Sequence, residues 1–245
     1  MLLQHKNAVI HGAGGAIGGA VARAFAREGA KVFLAGRTLA ALDTVAEEIA
    51  AEGGAAETSR VDAFDKESIE QHTESVIGKV GRIDISFNAV GIEDVQGSPI
   101  LEMSLDDFAH PISLAMRTQF LTATVVARQM IKQRSGVIQT VTATAARLAM
   151  PNTGGFGPAC AAVECLYRQL AGELGPHGLR VICVRSAGSP DALGPDFEAA
   201  FVGTTLLRRL PLLAEVGNVA ALMASDHASP MTGTVANVTC GAIVD

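Results

Sequence analysis

The chain has no tryptophan, one tyrosine and only 4% aromatic residues in a length of 245. A core built around large rings is therefore excluded. With 49% apolar residues and abundant Ala and Gly, the interior must come from close packing of small and branched side chains, as where helices lie on a sheet. Basic clusters are missing as well. No block of Lys and Arg occurs, and the formal charge of −6 with a pI near 5.5 speaks against a nucleic acid or an anionic membrane as partner. The longest uncharged stretch, HASPMTGTVANVTCGAIV, is too rich in Thr, Asn, Ser and Gly to cross a bilayer. The N-terminal MLLQHKNAVIHG lacks the basic-then-apolar order of an export signal, so a cytoplasmic location is expected. Cys160, Cys165, Cys183 and Cys240 show neither zinc-site nor CxxC spacing; they read as buried thiols, and no metal site is expected.

What is present is an alternation of short β-branched runs with longer Ala-rich or amphipathic stretches. NAVIHG, AKVFLAG, ETSRVDA, RIDISFNA, GVIQTVTA, LRVICVRS and GTVANVTC read as strands. Between them lie predicted helices: AIGGAVARAFAREG closed by Gly29, LAALDTVAEEIAAEGG ended by paired glycines, and a third capped by Asp65. Residues 104–136 form one long helix, or a short helix joined to a long one at Pro111. Two more helices follow, one with Pro158 in its first turn and one over LLAEVGNVAALMAS. Residues 188–211, rich in Gly, Pro and Asp around a short helix, read as a substrate loop or lid. Such alternation predicts one α/β domain over residues 1–245, a parallel sheet with helices on both faces.

The first strand turns into the first helix at HGAGGAIGG. Glycine there permits a tight turn and lets backbone N–H groups and the helix dipole approach a pyrophosphate. G-x-G-x-x-G fits poorly, because Ile17 occupies the last glycine position. The spacing G-x-x-x-G-x-G fits better, through Gly12, Ala16 and Gly18, with Gly15 inside it. Further along stand VDAFD, NAVG and MTGTVANVTCG, in that order. On these motifs the chain resembles the short-chain dehydrogenase/reductase family over nearly its whole length. The resemblance implies a single Rossmann-fold domain with a doubly wound seven-stranded parallel sheet of order 3-2-1-4-5-6-7 flanked by helices, assembled as a homodimer or homotetramer. It also implies a nucleotide site at Gly12, Gly15, Ala16, Ile17, Gly18, Asp62, Ala63, Asn88 and Ala89, with Asp62 on the adenine amino group.

The second strand ends in AGRT. A carboxylate at this place would bind the ribose 2′-hydroxyl of NAD and repel the 2′-phosphate of NADP, and an Arg beside it does the reverse. Gly36 stands where a carboxylate would, and Arg37 and Thr38 follow. NADP(H) is therefore expected over NAD(H).

In the family a Tyr moves the proton, a Lys one turn later lowers its pKa, a Ser fixes the substrate oxygen and an Asn supports a water relay. Those positions fall on Phe156, Cys160, Ala143 and Ala115 of this chain, so all four groups are missing. Tyr167 lies too far along its helix to replace Phe156, and RSAGSP stands where a Pro-Gly turn belongs. Thr142 and Thr144 flank Ala143 as weak substitutes, although strand alternation points them to the opposite face. His110, Arg117, Arg147 and Arg185 are polar groups expected near the pocket, with surface ion pairs or capped helix ends as the alternative. Cys160 reads more readily as a core thiol than as a nucleophile. Whether the chain is an enzyme thus stays open. One reading is an NADP(H)-binding oxidoreductase with non-canonical or much reduced catalysis on a small-molecule substrate. Another is a catalytically silent, nucleotide-responsive binding protein or partner subunit, and a third is a pocket for an apolar ligand without cofactor.

Overall fold

The computed structural model describes residues 1–244 and pairs the β-branched runs side by side. Strands β1 (Asn7–His11), β2 (Lys31–Gly36), β3 (Ala55–Arg60), β4 (Ile85–Asn88), β5 (Gly136–Ala143), β6 (Leu179–Ser186) and β7 (Thr234–Val238) form one sheet. Its order is β3-β2-β1-β4-β5-β6-β7 and its pairs are parallel. The connections are α1 (Ala16–Arg27), α2 (Leu39–Ala51), α3 (Lys66–Val80), α4 (Leu105–Gln133), α5 (Phe156–Leu174), α6 (Pro190–Leu193), α7 (Pro195–Phe201) and α8 (Leu213–Ala224).

Alternation along β1 shows how the sheet is covered. Ala8 and Ile10 enter one apolar cluster with Phe25 of α1, Leu42 of α2 and Val216 of α8. Val9 enters the other, with Val76 of α3, Val126 of α4 and Val163 of α5. Strands buried on both faces can be apolar throughout, which is why VIH and VFLA show no polar alternation. The doubly wound α/β architecture is the one the sequence predicts. Tyr167 lies in the second cluster, its hydroxyl donating to Gln119 Oε1 of α4 at 2.8 Å, so it ties α5 to α4 deep in the core.

Several elements differ from expectation. β3 begins at Ala55 and stops at Arg60; Val61 N still donates to the Gly36 carbonyl at 2.9 Å, and Asp62 and Ala63 lie beyond the ladder. α4, by contrast, takes the first of its two expected forms, one long helix running unbroken through Pro111, whose buried ring packs against Gly155, where an added Cβ would stand 2.7 Å from Pro111 Cγ. Packing offsets the hydrogen bond the proline cannot donate. Residues 188–211 hold two short helices in place of one. Pro190 and Pro195 each sit at a first helical position, and Gly194 at φ 88° parts them. Of the cysteines, Cys160 and Cys183 are buried and Cys240 is partly buried, but Cys165 is exposed. Five residues beyond Cys160 on a helix, it falls on the outer face of α5.

Candidate active site

At the C-terminal end of β1 the chain turns at Gly12, with φ 77°; a Cβ there would stand 2.6 Å from the Ala89 carbonyl oxygen. A Cβ on Gly18 would collide with the Gly12 carbonyl. These two positions need glycine, whereas Ala16 is the first residue of α1 and carries its Cβ. Gly15 caps α1 without a side chain, and no acidic residue stands in the first turn. The N–H groups of Ala16, Ile17 and Gly18 therefore have no intrahelical acceptor and carry the positive end of the helix dipole.

Beside this turn lies a cleft of about 200 Å³. Gly12, Gly15, Arg37, Asp62, Ala63 and Ala89 line it, together with Gly36, Phe64, Val90, Gly91 and the buried His11, Ala35 and Val61. Asp62 Oδ1 accepts from Phe64 N at 2.9 Å, which holds the turn after β3. Arg117 Nε donates to the Phe64 carbonyl at 2.9 Å. Asn88 acts from beneath. Its buried amide donates to Thr122 Oγ1 at 2.8 Å and accepts from Val90 N at 2.9 Å, fixing the segment that carries Ala89. Thr38 is exposed at the start of α2. Arg37 reaches across: its Nη2 lies 3.8 Å from Glu93 Oε1, and its guanidinium carbon 6.0 Å from the Phe64 ring centre.

Sequence reasoning missed one feature of this region. His11 packs against His72 of α3, ring centres 6.2 Å apart, and neither imidazole finds a hydrogen-bond partner. Burial, with His72 nearby, lowers the His11 pKa to about 3. Burial, with Lys79 nearby, lowers that of His72 to about 4. Both are neutral at pH 7. The available signal was a histidine directly before Gly12.

At the end of β5 the structure brings Ala143 and Cys160 together, with Phe156 one helical turn earlier on the same face of α5. Ala115 is buried on α4. Burial pushes the Cys160 thiol up to about 11, against a lowering hydrogen bond from the Ala143 backbone; the Glu164 and Asp94 carboxylates raise it further. It is a neutral thiol at pH 7 and a poor nucleophile.

The flanking threonines are engaged elsewhere. Thr142 donates to Glu164 Oε1 at 2.9 Å, and the Thr144 hydroxyl lies 3.9 Å from the Met150 sulfur. Glu164 also holds Arg185 through Nε and Nη2, both at 2.9 Å. Arg185 is 1% exposed, which corrects the expectation of a polar group at the pocket or a surface pair. A planar guanidinium matched to a carboxylate is what makes such burial tolerable. Glu164 carried no motif; its one sequence signal was a charge four residues after Cys160 on an apolar helix face. Among the described residues no three His, Cys, Asp or Glu side chains gather to hold a metal, and no helix is long and apolar enough to cross a membrane.

A family model described as enoyl-(acyl carrier protein) reductase matches residues 12–242. The 7alpha-hydroxysteroid dehydrogenase of Escherichia coli (strain K12) is 31% identical over 246 residues, covering 98% of this chain and 95% of that one. The 3-oxoacyl-(acyl-carrier-protein) reductase of Thermotoga maritima is 28% identical over 249 residues, covering 100% of each. A crystal structure of a short-chain type dehydrogenase/reductase from Mycobacterium marinum superposes with a TM-score of 0.90 at 30% identity, covering 99% of this chain and 97% of that one.

Proposed function

The chain belongs to the short-chain dehydrogenase/reductase family of oxidoreductases, and from that premise we propose that it binds NADP(H) in preference to NAD(H), with catalysis much reduced by the loss of its proton-transfer groups. One observation carries the cofactor reading. Arg37 lines the cleft at the end of β2, beside a Gly36 that places no carboxylate there. A guanidinium at that place favours a 2′-phosphate over a 2′-hydroxyl. Gly12 and Gly15 line the cleft beside the first N–H groups of α1, an arrangement that fits a pyrophosphate, and Asp62 stands where an adenine amino group would meet it.

When bound, the nicotinamide gives or takes a hydride. At positions 143, 156 and 160 this chain supplies no side chain that moves a proton at neutral pH. The proton must come from water or from the substrate, so an activated small-molecule substrate is favoured. Loss of a general acid costs a rate factor of about 100 to 10,000. The buried thiol of Cys160 favours a second reading, a catalytically silent nucleotide-responsive protein or a partner subunit in a mixed oligomer. The family's assembly, a homodimer or homotetramer, is proposed for this chain through the exposed Phe120 face of α4. A cytoplasmic setting, without nucleic acid or membrane as partner, accords with the charge of −6.

Calorimetric titration of NADPH and NADH tests the cofactor reading. Tighter NADPH binding, lowered about 10- to 100-fold by Arg37→Ala with NADH unaffected, is the expected result for a charged hydrogen bond. Absence of binding by either nucleotide would sink the oxidoreductase reading.

A further inference from the structure

Arg37 extends from the end of β2 toward the segment that follows β4, where its guanidinium meets Glu93 at 3.8 Å. Both side chains are more than half exposed, so the pair lies at the surface, where Arg37 lines the cleft, rather than supporting the core. The guanidinium is also near the Phe64 ring, on the β3 side. The cation thus has an internal anion before any nucleotide arrives. We propose that Glu93 is a specificity-determining residue that competes with the nucleotide 2′-phosphate for Arg37. The inference rests on the reading of Arg37 given above.

The physics is a substitution of one anion for another. A 2′-phosphate must displace the Glu93 carboxylate from Arg37 or share the cation with it, and the two anions repel at close range. A 2′-hydroxyl brings no charge and leaves the pair intact. Glu93 therefore weakens NADPH without touching NADH, and it narrows the preference that Arg37 creates. The effect is bounded by what an exposed ion pair is worth, so removing the carboxylate gains about two- to fivefold. Screening makes the gain larger at low salt than at high salt.

The test is calorimetric titration of both nucleotides into the wild-type chain, Glu93→Gln, Arg37→Ala and the double variant, at low and high salt. Tighter NADPH binding by Glu93→Gln, unchanged NADH binding and no gain in the Arg37→Ala background are expected. A merely structural role for Glu93 would move both nucleotides together. If Glu93→Gln leaves NADPH unchanged or weaker while Arg37→Ala still loses it, the competition is refuted and the role of Arg37 stands. If NADPH is indifferent to Arg37→Ala, the cofactor reading fails and the competition with it.

Discussion

Around β1, β2 and β3 the chain leaves the first N–H groups of α1 and the cation of Arg37 facing a cleft, whereas around β5, α5 and β6 its charges turn inward, Glu164 meeting Arg185 at 2.9 Å in full burial. The first arrangement keeps unsatisfied N–H donors, and a cation held only by an exposed ion pair, for a ligand. The second spends its polar atoms on one another, and it carries Ala143, Phe156 and Cys160, the positions to which the resemblance assigns the catalytic groups. A binding site must stay incomplete until something arrives, but a site relieved of proton transfer can be absorbed into the core. On the function proposed above, one fold would keep its nucleotide end while losing its reacting end, because different strands build the two.

The most direct way to break this contrast is to give the second half back its chemistry. Ala143→Ser, Phe156→Tyr and Cys160→Lys together should raise NADPH-dependent carbonyl reduction by about 100- to 10,000-fold, read as initial rates on an activated ketone. The Glu164 and Asp94 carboxylates that raise the Cys160 thiol would favour an ammonium there. No gain in rate would mean that the scaffold no longer holds the reacting geometry. Next in size is the buried pair. Arg185→Ala should cost about 3–5 kcal/mol in urea unfolding by stranding Glu164, and replacing both residues with Met should restore most of it. A small loss in the single variant would show that this half is less sealed than its burial indicates.

A graded effect separates the halves by pH. His11 and His72 have folded pKa values of about 3 and about 4 against 6.5 when unfolded, so the unfolded chain takes up protons first. Stability from these groups is complete above about pH 6.5 and falls as pH drops toward 4, by about 1.4 kcal/mol per pH unit for each imidazole. Urea midpoints between neutral and mildly acid pH measure the slope, and His72→Phe should roughly halve it. An unchanged slope in that variant would place the acid sensitivity elsewhere.

The fold was legible because its signals are local and repeated. Gly29, Asp65 and Pro158 mark helix ends, and runs such as VFLA can only be strands covered twice. Arg37 and Asp62 were legible through their place at strand ends, and both line the cleft. What escaped depends on contacts between distant segments. Nothing near Pro111 announces that Gly155 will accept its ring, and nothing near Arg185 announces a carboxylate one layer away on α5. The pairing of His11 with His72 joins residues far apart in the chain, and their neutrality comes from burial that no local pattern encodes. Glu93, two residues beyond the NAVG motif, had significance only once Arg37 was seen to reach it.

The bond between Tyr167 and Gln119 has a practical side. In a chain without tryptophan, the single phenol dominates near-ultraviolet emission, and here it is lodged in the seam between α4 and α5. The molecule thus carries one optical gauge at one known address. Its signal follows the parting of those two helices on their inner side, opposite the exposed Phe120 face proposed for the subunit contact.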